Sequence, residues 1–409
     1  PFRRQVSAFA GEGVALYLYG LYYTIPPFSR PFILPFSYTY PHIHTFEAAT
    51  IYNSIIFQTS KHTHMMQRLA PALMICALAL SCSPDGTEYT PLHFPEEHTA
   101  DITPLNRELV MDIPSRFLLY DTVTVMNSRN ADNDNIFQAL STTDGTLCAS
   151  FAHMGRGANE LSDCYGLALD QNTATMYALG SDSKLLAIDL RKALSGRGDF
   201  VTARYNADIA RSAKNIYALG EGKILYEGLP RFSVIELSQG DTPTELFSYN
   251  EYPELPAEIA SATDGAANYF YYNSDTAVKT DGTMFCNATS NGIILEIFSI
   301  GKEGIRSDAV RRIYEPNKES QNSIFGTIQA QATDRYIYLL YIATTVGSYD
   351  YATTCPELGV FDWKGHEVAH YTLGKRVVRF TVTSDDSRSY CWYLDDEGIP
   401  VYGYFDMTH

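Results

Sequence analysis

The sequence predicts an all-β protein, a six-bladed β-propeller of four-stranded antiparallel blades spanning residues 106–409. Three observations carry this prediction. The chain is 45% hydrophobic with only 19% charged residues, and it holds 30 Tyr and 21 Phe; aromatic enrichment with few charges favours strands over helices. The tetrapeptide Tyr177-Ala-Leu-Gly180 recurs as Tyr217-Ala-Leu-Gly220, an offset of about 40 residues that marks a repeat architecture. Short apolar runs then return along the chain, each closed by turn residues.

In chain order, Phe117-Leu-Leu-Tyr120, Thr122-Val-Thr-Val-Met126 and Ile136-Phe-Gln-Ala-Leu140 read as strands. Asp144-Gly145 is a hairpin turn before Thr146-Leu-Cys-Ala-Ser-Phe151, because glycine permits the positive φ of a tight turn. The same succession places inner strands near Thr124, Tyr177, Tyr217, Phe285, Tyr338 and Cys391, a mean step of about 53 residues, within propeller blade lengths. A second repeated feature is an outer hairpin: Leu186–Leu190, Val234–Leu237, Leu295–Phe298 and Gly359–Trp363 each run into a polar or glycine-containing turn. Runs such as Ile293-Ile-Leu-Glu-Ile-Phe298 and Tyr336–Ile342 are nearly continuous rather than alternating, as strands sandwiched between neighbouring blades should be.

Two stretches interrupt the rhythm. Residues 241–282 include Ala257-Glu-Ile-Ala-Ser-Ala, a candidate short helix, and 306–323 form a second polar segment. Insertions of this kind usually gather at one end of a propeller, where partners are met. The last unit supplies three strands, 377–383, 390–394 and 400–404. A fourth is needed to avoid an open sheet edge, and Arg107-Glu-Leu-Val-Met-Asp112 is the expected donor.

The N-terminal part is read differently. Residues 1–64 hold fourteen Phe or Tyr, two acidic residues and no sustained periodicity, and are expected to be a non-native or disordered upstream extension. Residues 65–82 have the grammar of an export signal: basic Met65-Met-Gln-Arg68, then the twelve-residue apolar run Leu69–Leu80, then Ser81-Cys82. Such a run is too short to span a bilayer and suits a signal peptide. Initiation is therefore expected at Met65 or Met66. Ala79-Leu-Ser-Cys82 resembles a bacterial lipobox, which makes Cys82 the expected lipidation site and residues 83–105 a flexible tether.

Net charge is −17. Residues 1–81 carry five basic side chains against two acidic ones, so the remainder stands near −20, a surface that repels phosphate backbones; no nucleic-acid partner is expected. The remaining cysteines, Cys148, Cys164, Cys286, Cys355 and Cys391, show no Cys-x-x-Cys or zinc spacing and read as small buried hydrophobes. Their odd number implies at least one free thiol, and their disulfide status stays open.

His153-Met-Gly-Arg-Gly-Ala-Asn-Glu-Leu161 lies between an outer strand and the next blade's inner strand. It resembles the Gly-x-Gly-x-x-Glu-Phe signature of the TolB-like six-bladed propeller lipoproteins of Bacteroidales, aligning Gly155, Gly157, Glu160 and Leu161, with Ala158 where Pro is usual and Leu for Phe. The resemblance runs from about Asn106 to Met407 and implies a lipoprotein signal and six blades; it brings no catalytic residues. From the residues alone, Gly155-Arg156-Gly157 lacks the helix and Lys of a phosphate loop. It reads as a tight interblade turn in which Glu160 accepts from backbone amides or pairs with Arg156.

Other candidate chemistry is weaker. Asn130-Ala-Asp-Asn-Asp134 has calcium-loop oxygens but Asn135 and Ser141 at the positions needing Gly and Glu. His366 and His370 fall on a strand, ~13 Å apart, too far for one ion. No catalytic, cofactor or metal residues are assigned. The expected function is a lipid-anchored binding or scaffolding module of a Gram-negative envelope. It would be held to the outer membrane by its lipid alone, facing the periplasm or the surface, with an envelope protein or a glycan as partner. The alternative is a metal-dependent hydrolase or lactonase-type propeller with carboxylates converging in the central channel, since fold alone does not separate binders from enzymes.

Overall fold

The computed structural model describes residues 89–409 apart from 107–110, 128–133, 158, 211, 239, 255–271, 318–321 and 351–352. Two strands lead in, β1 (Glu96–Thr99) and β2 (Thr103–Asn106). Blade 1 comprises β3 (Phe117–Tyr120), β4 (Val123–Asn127), β5 (Asn135–Ser141) and β6 (Leu147–His153). Blade 2 comprises β7 (Gly166–Asp170), β8 (Thr175–Leu179), β9 (Lys184–Asp189) and, after the short helix α1 (Leu190–Leu194), β10 (Val201–Asn206). Blade 3 is β11 (Asn215–Gly220), β12 (Lys223–Glu227), β13 (Phe232–Glu236) and β14 (Thr244–Tyr249). Blade 4 is β15 (Ser274–Val278), β16 (Met284–Thr289), β17 (Ile293–Gly301) and β18 (Gly304–Tyr314). Blade 5 is β19 (Ile324–Ala332), β20 (Tyr336–Thr345), β21 (Glu357–Asp362) and β22 (Glu367–Thr372). Blade 6 is β23 (Arg376–Val382), β24 (Arg388–Leu394) and β25 (Pro400–Asp406), completed by β2, which pairs antiparallel with β25.

The predicted fold class therefore holds: six antiparallel four-stranded blades, with first strands packing on one another from blade 2 round through blade 6 to blade 1. The core is not one mass but a layer between each pair of adjacent blades. Between blades 3 and 4 the layer is Leu225, Phe232, Val234, Phe285 and Phe298, with Phe285 and Phe298 stacked at 4.6 Å and Phe232 edge-on to Phe285 at 4.9 Å. Each fully buried Phe contributes roughly 1.5–3 kcal/mol, so every blade depends on both neighbours.

Four sequence expectations need correction. Five of the six presumed inner-strand centres lie in second strands, since Thr124, Tyr177, Phe285, Tyr338 and Cys391 fall in β4, β8, β16, β20 and β24, while Tyr217 alone is in a first strand. The tetrapeptide repeat thus joins β8 to β11, two non-equivalent positions; the equivalent of Tyr177 in blade 3 is Leu225. First and second strands are both packed between blades, and periodicity does not tell them apart. Of the segment 107–112 expected to supply the closing strand, 107–110 lie outside the described residues; the closing strand is Thr103–Asn106. It lies within the segment read as tether, as does β1, which adds to blade 5 as a fifth, parallel strand. The first half of the polar segment 306–323 is part of β18, which ends at Tyr314. The candidate helix at 257–262 lies outside the described residues, as do residues 1–88.

Gly403 shows how closely the ends are joined: a Cβ there would stand 2.7 Å from the Thr103 carbonyl oxygen. All five propeller cysteines are free thiols. Cys286 and Cys391 are buried as expected, but Cys148 and Cys355 are exposed.

Candidate functional site

The main charged cluster sits where blades 3 and 4 meet, at the end of the ring from which second-to-third-strand turns and blade-to-blade connections emerge. The turn between β12 and β13 brings up Gly228 and Arg231, the approach to β11 supplies Lys214, the β14–β15 connection supplies Tyr252, Tyr272 and Asn273, and β15 begins with Ser274. Together with Glu227 they line a recess of about 20 Å³, room for one water and no more. Glycine is required at 228, because a Cβ there would lie 2.5 Å from the Ser212 carbonyl oxygen.

Arg231 is 4% exposed and Glu296, on β17, is 3% exposed. One guanidinium nitrogen donates to Glu296 Oε1 at 3.2 Å and to the Glu251 carbonyl at 2.9 Å. The other donates to Glu296 Oε2 and to Asn287 Oδ1, the latter at 3.0 Å. The cation faces Tyr252 at 4.7 Å and Phe232 at 4.9 Å, contacts that strengthen when water is excluded.

The network continues into blade 4. Asn287 Nδ2 donates to Ser274 Oγ at 2.9 Å and Thr276 Oγ1 at 2.8 Å. Those hydroxyls donate to the two carboxylate oxygens of Glu227, at 2.9 and 3.0 Å, and Lys214 Nζ reaches Glu227 Oε1 at 3.3 Å and the Ser274 carbonyl. Nearer the channel, Asp275 accepts the Ala330 N–H at 2.8 Å and pairs with Arg116 at 3.7 Å. Burial raises its pKa, against the opposing pull of Arg116, the Ala330 amide and Lys214. Burial also pushes the Tyr217 phenol well above its ordinary value, helped by the charges of Asp275 and Glu227.

Chemically this is a rivet between two blades. Each of the three carboxylates has a cation partner, Glu296 with Arg231, Glu227 with Lys214 and Asp275 with Arg116. Among the described residues no group of three or more His, Cys, Asp or Glu side chains is placed to share a metal ion.

The family-motif residues are elsewhere, on the connection from β6 to β7. Met154 bridges Leu161, and the Gly155 N–H donates to the Leu161 carbonyl at 3.0 Å. Glu160 folds back to accept the Gly157 N–H at 2.8 Å. A Cβ at Gly155 or Gly157 would stand 2.0 or 2.9 Å from the Glu160 carboxylate, which explains why the loop has glycine at both places. Lys184 secures the loop by donating to the Gly157 and Glu160 carbonyls at 3.1 and 2.9 Å. Arg156 is exposed.

His366 and His370 take different partners. His366 Nδ1 meets Asp362 at 3.0 Å, whereas His370 lies between Glu97 at 2.6 Å and Glu357 at 3.2 Å. Asn130–Asn133 and Cys82 lie outside the described residues. Sequence reasoning passed over Arg231, Glu296, Asn287, Glu227 and Lys214. The available signal was Glu296 itself, a carboxylate inside an apolar strand run that has to find a cation.

The sequence profile of the TolB-like 6-blade propeller-like family matches residues 93–385. No curated protein matches the chain. Among solved structures, a member of the DUF4221 family from Bacteroides vulgatus is similar, with 10% identity, 75% of this chain and 98% of that one covered and a TM-score of 0.49. A Bacteroides fragilis protein described as exported has 11% identity, 77% and 99% coverage and a TM-score of 0.46. The Neurospora crassa Pan2 WD40 domain has 8% identity, 72% and 76% coverage and a TM-score of 0.41. It is the profile match, spanning most of the chain, that assigns it, and the chain belongs to the TolB-like 6-blade propeller-like family.

Proposed function

We propose that the chain is a binding or scaffolding module of a Gram-negative cell envelope, held to the outer membrane by lipid on Cys82. It would meet its partner through the end of the ring where second-to-third-strand turns emerge. One observation carries the choice of face. Of the four large hydrophobic side chains exposed among the described residues, Leu229, Val346 and Ile399 sit on those turns, and only Leu147 lies at the opposite end. Three of the four thus share the turn-bearing end, which makes that end the better candidate for the partner-facing surface. The charge-paired carboxylates of the blade 3–4 junction favour binding over hydrolysis. Among the described residues no helix is long and apolar enough to cross a membrane, and a lipid at Cys82 supplies the attachment in this reading.

The test is cross-linking capture from detergent-solubilised envelope. Leu229→Asp, Val346→Asp and Ile399→Asp together should abolish the adduct formed by the unaltered chain, and Leu147→Asp should leave it. Equal adducts from both variants would contradict the choice of face.

A further inference from the structure

β1 stands apart from the other strands of the ring. Each blade has its four strands without it, since β2 closes blade 6, and among the described residues only blade 5 carries a fifth. It runs parallel to β22 in a sheet that is otherwise antiparallel. No hairpin turn fixes it there, so it keeps its place by its own contacts.

Those contacts form a built groove. Phe94, 8% exposed, enters the layer between blades 4 and 5, edge-on to Phe361 at 5.6 Å and stacked on His370 at 5.3 Å. Gly359 leaves room for the ring, because a Cβ there would stand 3.0 Å from Phe94 Cζ. Three residues on, Glu97 meets His370 Nδ1 at 2.6 Å, and His98 stacks on Tyr371 at 4.9 Å. Along the same stretch the main chain of Glu96–Thr99 pairs with Ala369–Thr372. Backbone pairing at a sheet edge, with an anchor side chain in a pocket, is how sheets take up extended peptides.

The strand in place fills this groove incompletely. Glu96, Glu97 and Thr99 are exposed, and β1 pairs with four of the six residues of β22. Continued in the same register, Val368 stands opposite Pro95, which has no N–H to donate. Short, exposed pairing of this kind opens before the body of a fold does. We propose that the β22 edge of blade 5 is a strand-binding groove occupied in cis by residues 94–99. Its other occupant is an extended segment of a partner protein, with an aromatic residue followed three places later by a carboxylate. A partner strand with an N–H at the place of Pro95 pairs along more of β22 and displaces β1, leaving β2 and the closed ring intact. The groove is separate from the turn-bearing end and independent of lipid on Cys82.

The experiment measures fluorescence anisotropy of a labelled peptide of residues 92–100 against the full chain. In the unaltered chain the tethered strand competes at an effective concentration on the order of millimolar, so little binding is expected. Phe94→Ala with Glu97→Gln loosens that strand and should bind the peptide about tenfold or more tighter, a gain that a peptide carrying Phe94→Ala should lose, as for one buried anchor. Glu97→Gln with His98→Ala alters β1 outside the core and should bind to an intermediate degree, which keeps the test valid should the first variant melt early. No saturable binding to either variant, binding equal to that of the unaltered chain, or binding indifferent to Phe94 in the peptide would overturn the proposal. So would an unaltered-chain dimer that the peptide dissociates, since the groove would then belong to a second copy.

Discussion

Arg231 and Glu296, 4% and 3% exposed, form an ion pair whose loss on one side strands a buried charge. Arg231→Met or Glu296→Gln should therefore destabilise the propeller by roughly 3–5 kcal/mol, while Arg231→Met with Glu296→Leu should recover much of that. Denaturant unfolding decides the matter, and two single variants of ordinary stability would show that the pair is not a rivet. At the same scale, His370 presents both ring nitrogens to carboxylates, Glu97 on β1 and Glu357 on β21. A neutral imidazole has one N–H and satisfies only one of them. The Glu357 hydrogen bond raises the His370 pKa against the cost of burial, and His370 lowers that of Glu357. Behind Glu357 the Tyr341 and Tyr314 phenols are pushed up by burial and stay neutral.

The sign of the effect follows from those directions. The raised histidine contributes stability that is complete below its unfolded value near 6.5 and is lost as pH rises through its folded value. The lowered glutamate contributes above about 4.5 and is lost as pH falls through its folded value. The stability difference between the unaltered chain and His370→Gln should be largest between these limits and shrink as pH rises through the folded value of His370, by under about 1 kcal/mol because both carboxylates are solvent-screened. Thermal melting across that range checks it; a difference constant in pH would show that the contact is packing alone.

Among the elements, the closing strand matters most. β2 completes blade 6 through main-chain pairing with β25, and the Thr103 carbonyl leaves no room for a side chain at 403. Deleting residues 103–106, or Gly403→Val, should lower and broaden the melting of the whole ring, since each blade is stabilised by both neighbours. Calorimetry showing one unchanged transition would contradict closure by β2. Thr103-Pro-Leu-Asn106 has little intrinsic strand preference, and Pro104 is tolerated only because the strand is an edge. That is why the sequence pointed to Arg107–Asp112 a few residues away, although the need for a fourth strand was legible in the three of blade 6. Asp144-Gly145 was legible for the opposite reason: its turn chemistry is local, and Gly145 has φ +71°. The Arg231 network was not legible because its members lie far apart in sequence, Arg231 and Glu296 by 65 residues, and only the ring brings them together.

For the molecule as a whole, six interblade layers join the blades into a ring. An acidic propeller with charge-paired carboxylates at the blade 3–4 junction fits the proposed binder better than a catalyst. The proposed membrane attachment depends on Cys82. The most direct test is metabolic labelling with an alkyne palmitate in a diderm bacterial host, followed by membrane fractionation of the unaltered chain and of Cys82→Ala. The account predicts label and membrane retention for the former, and loss of both with release to the soluble fraction for the latter. Undiminished label on Cys82→Ala, or none on either chain, would contradict it.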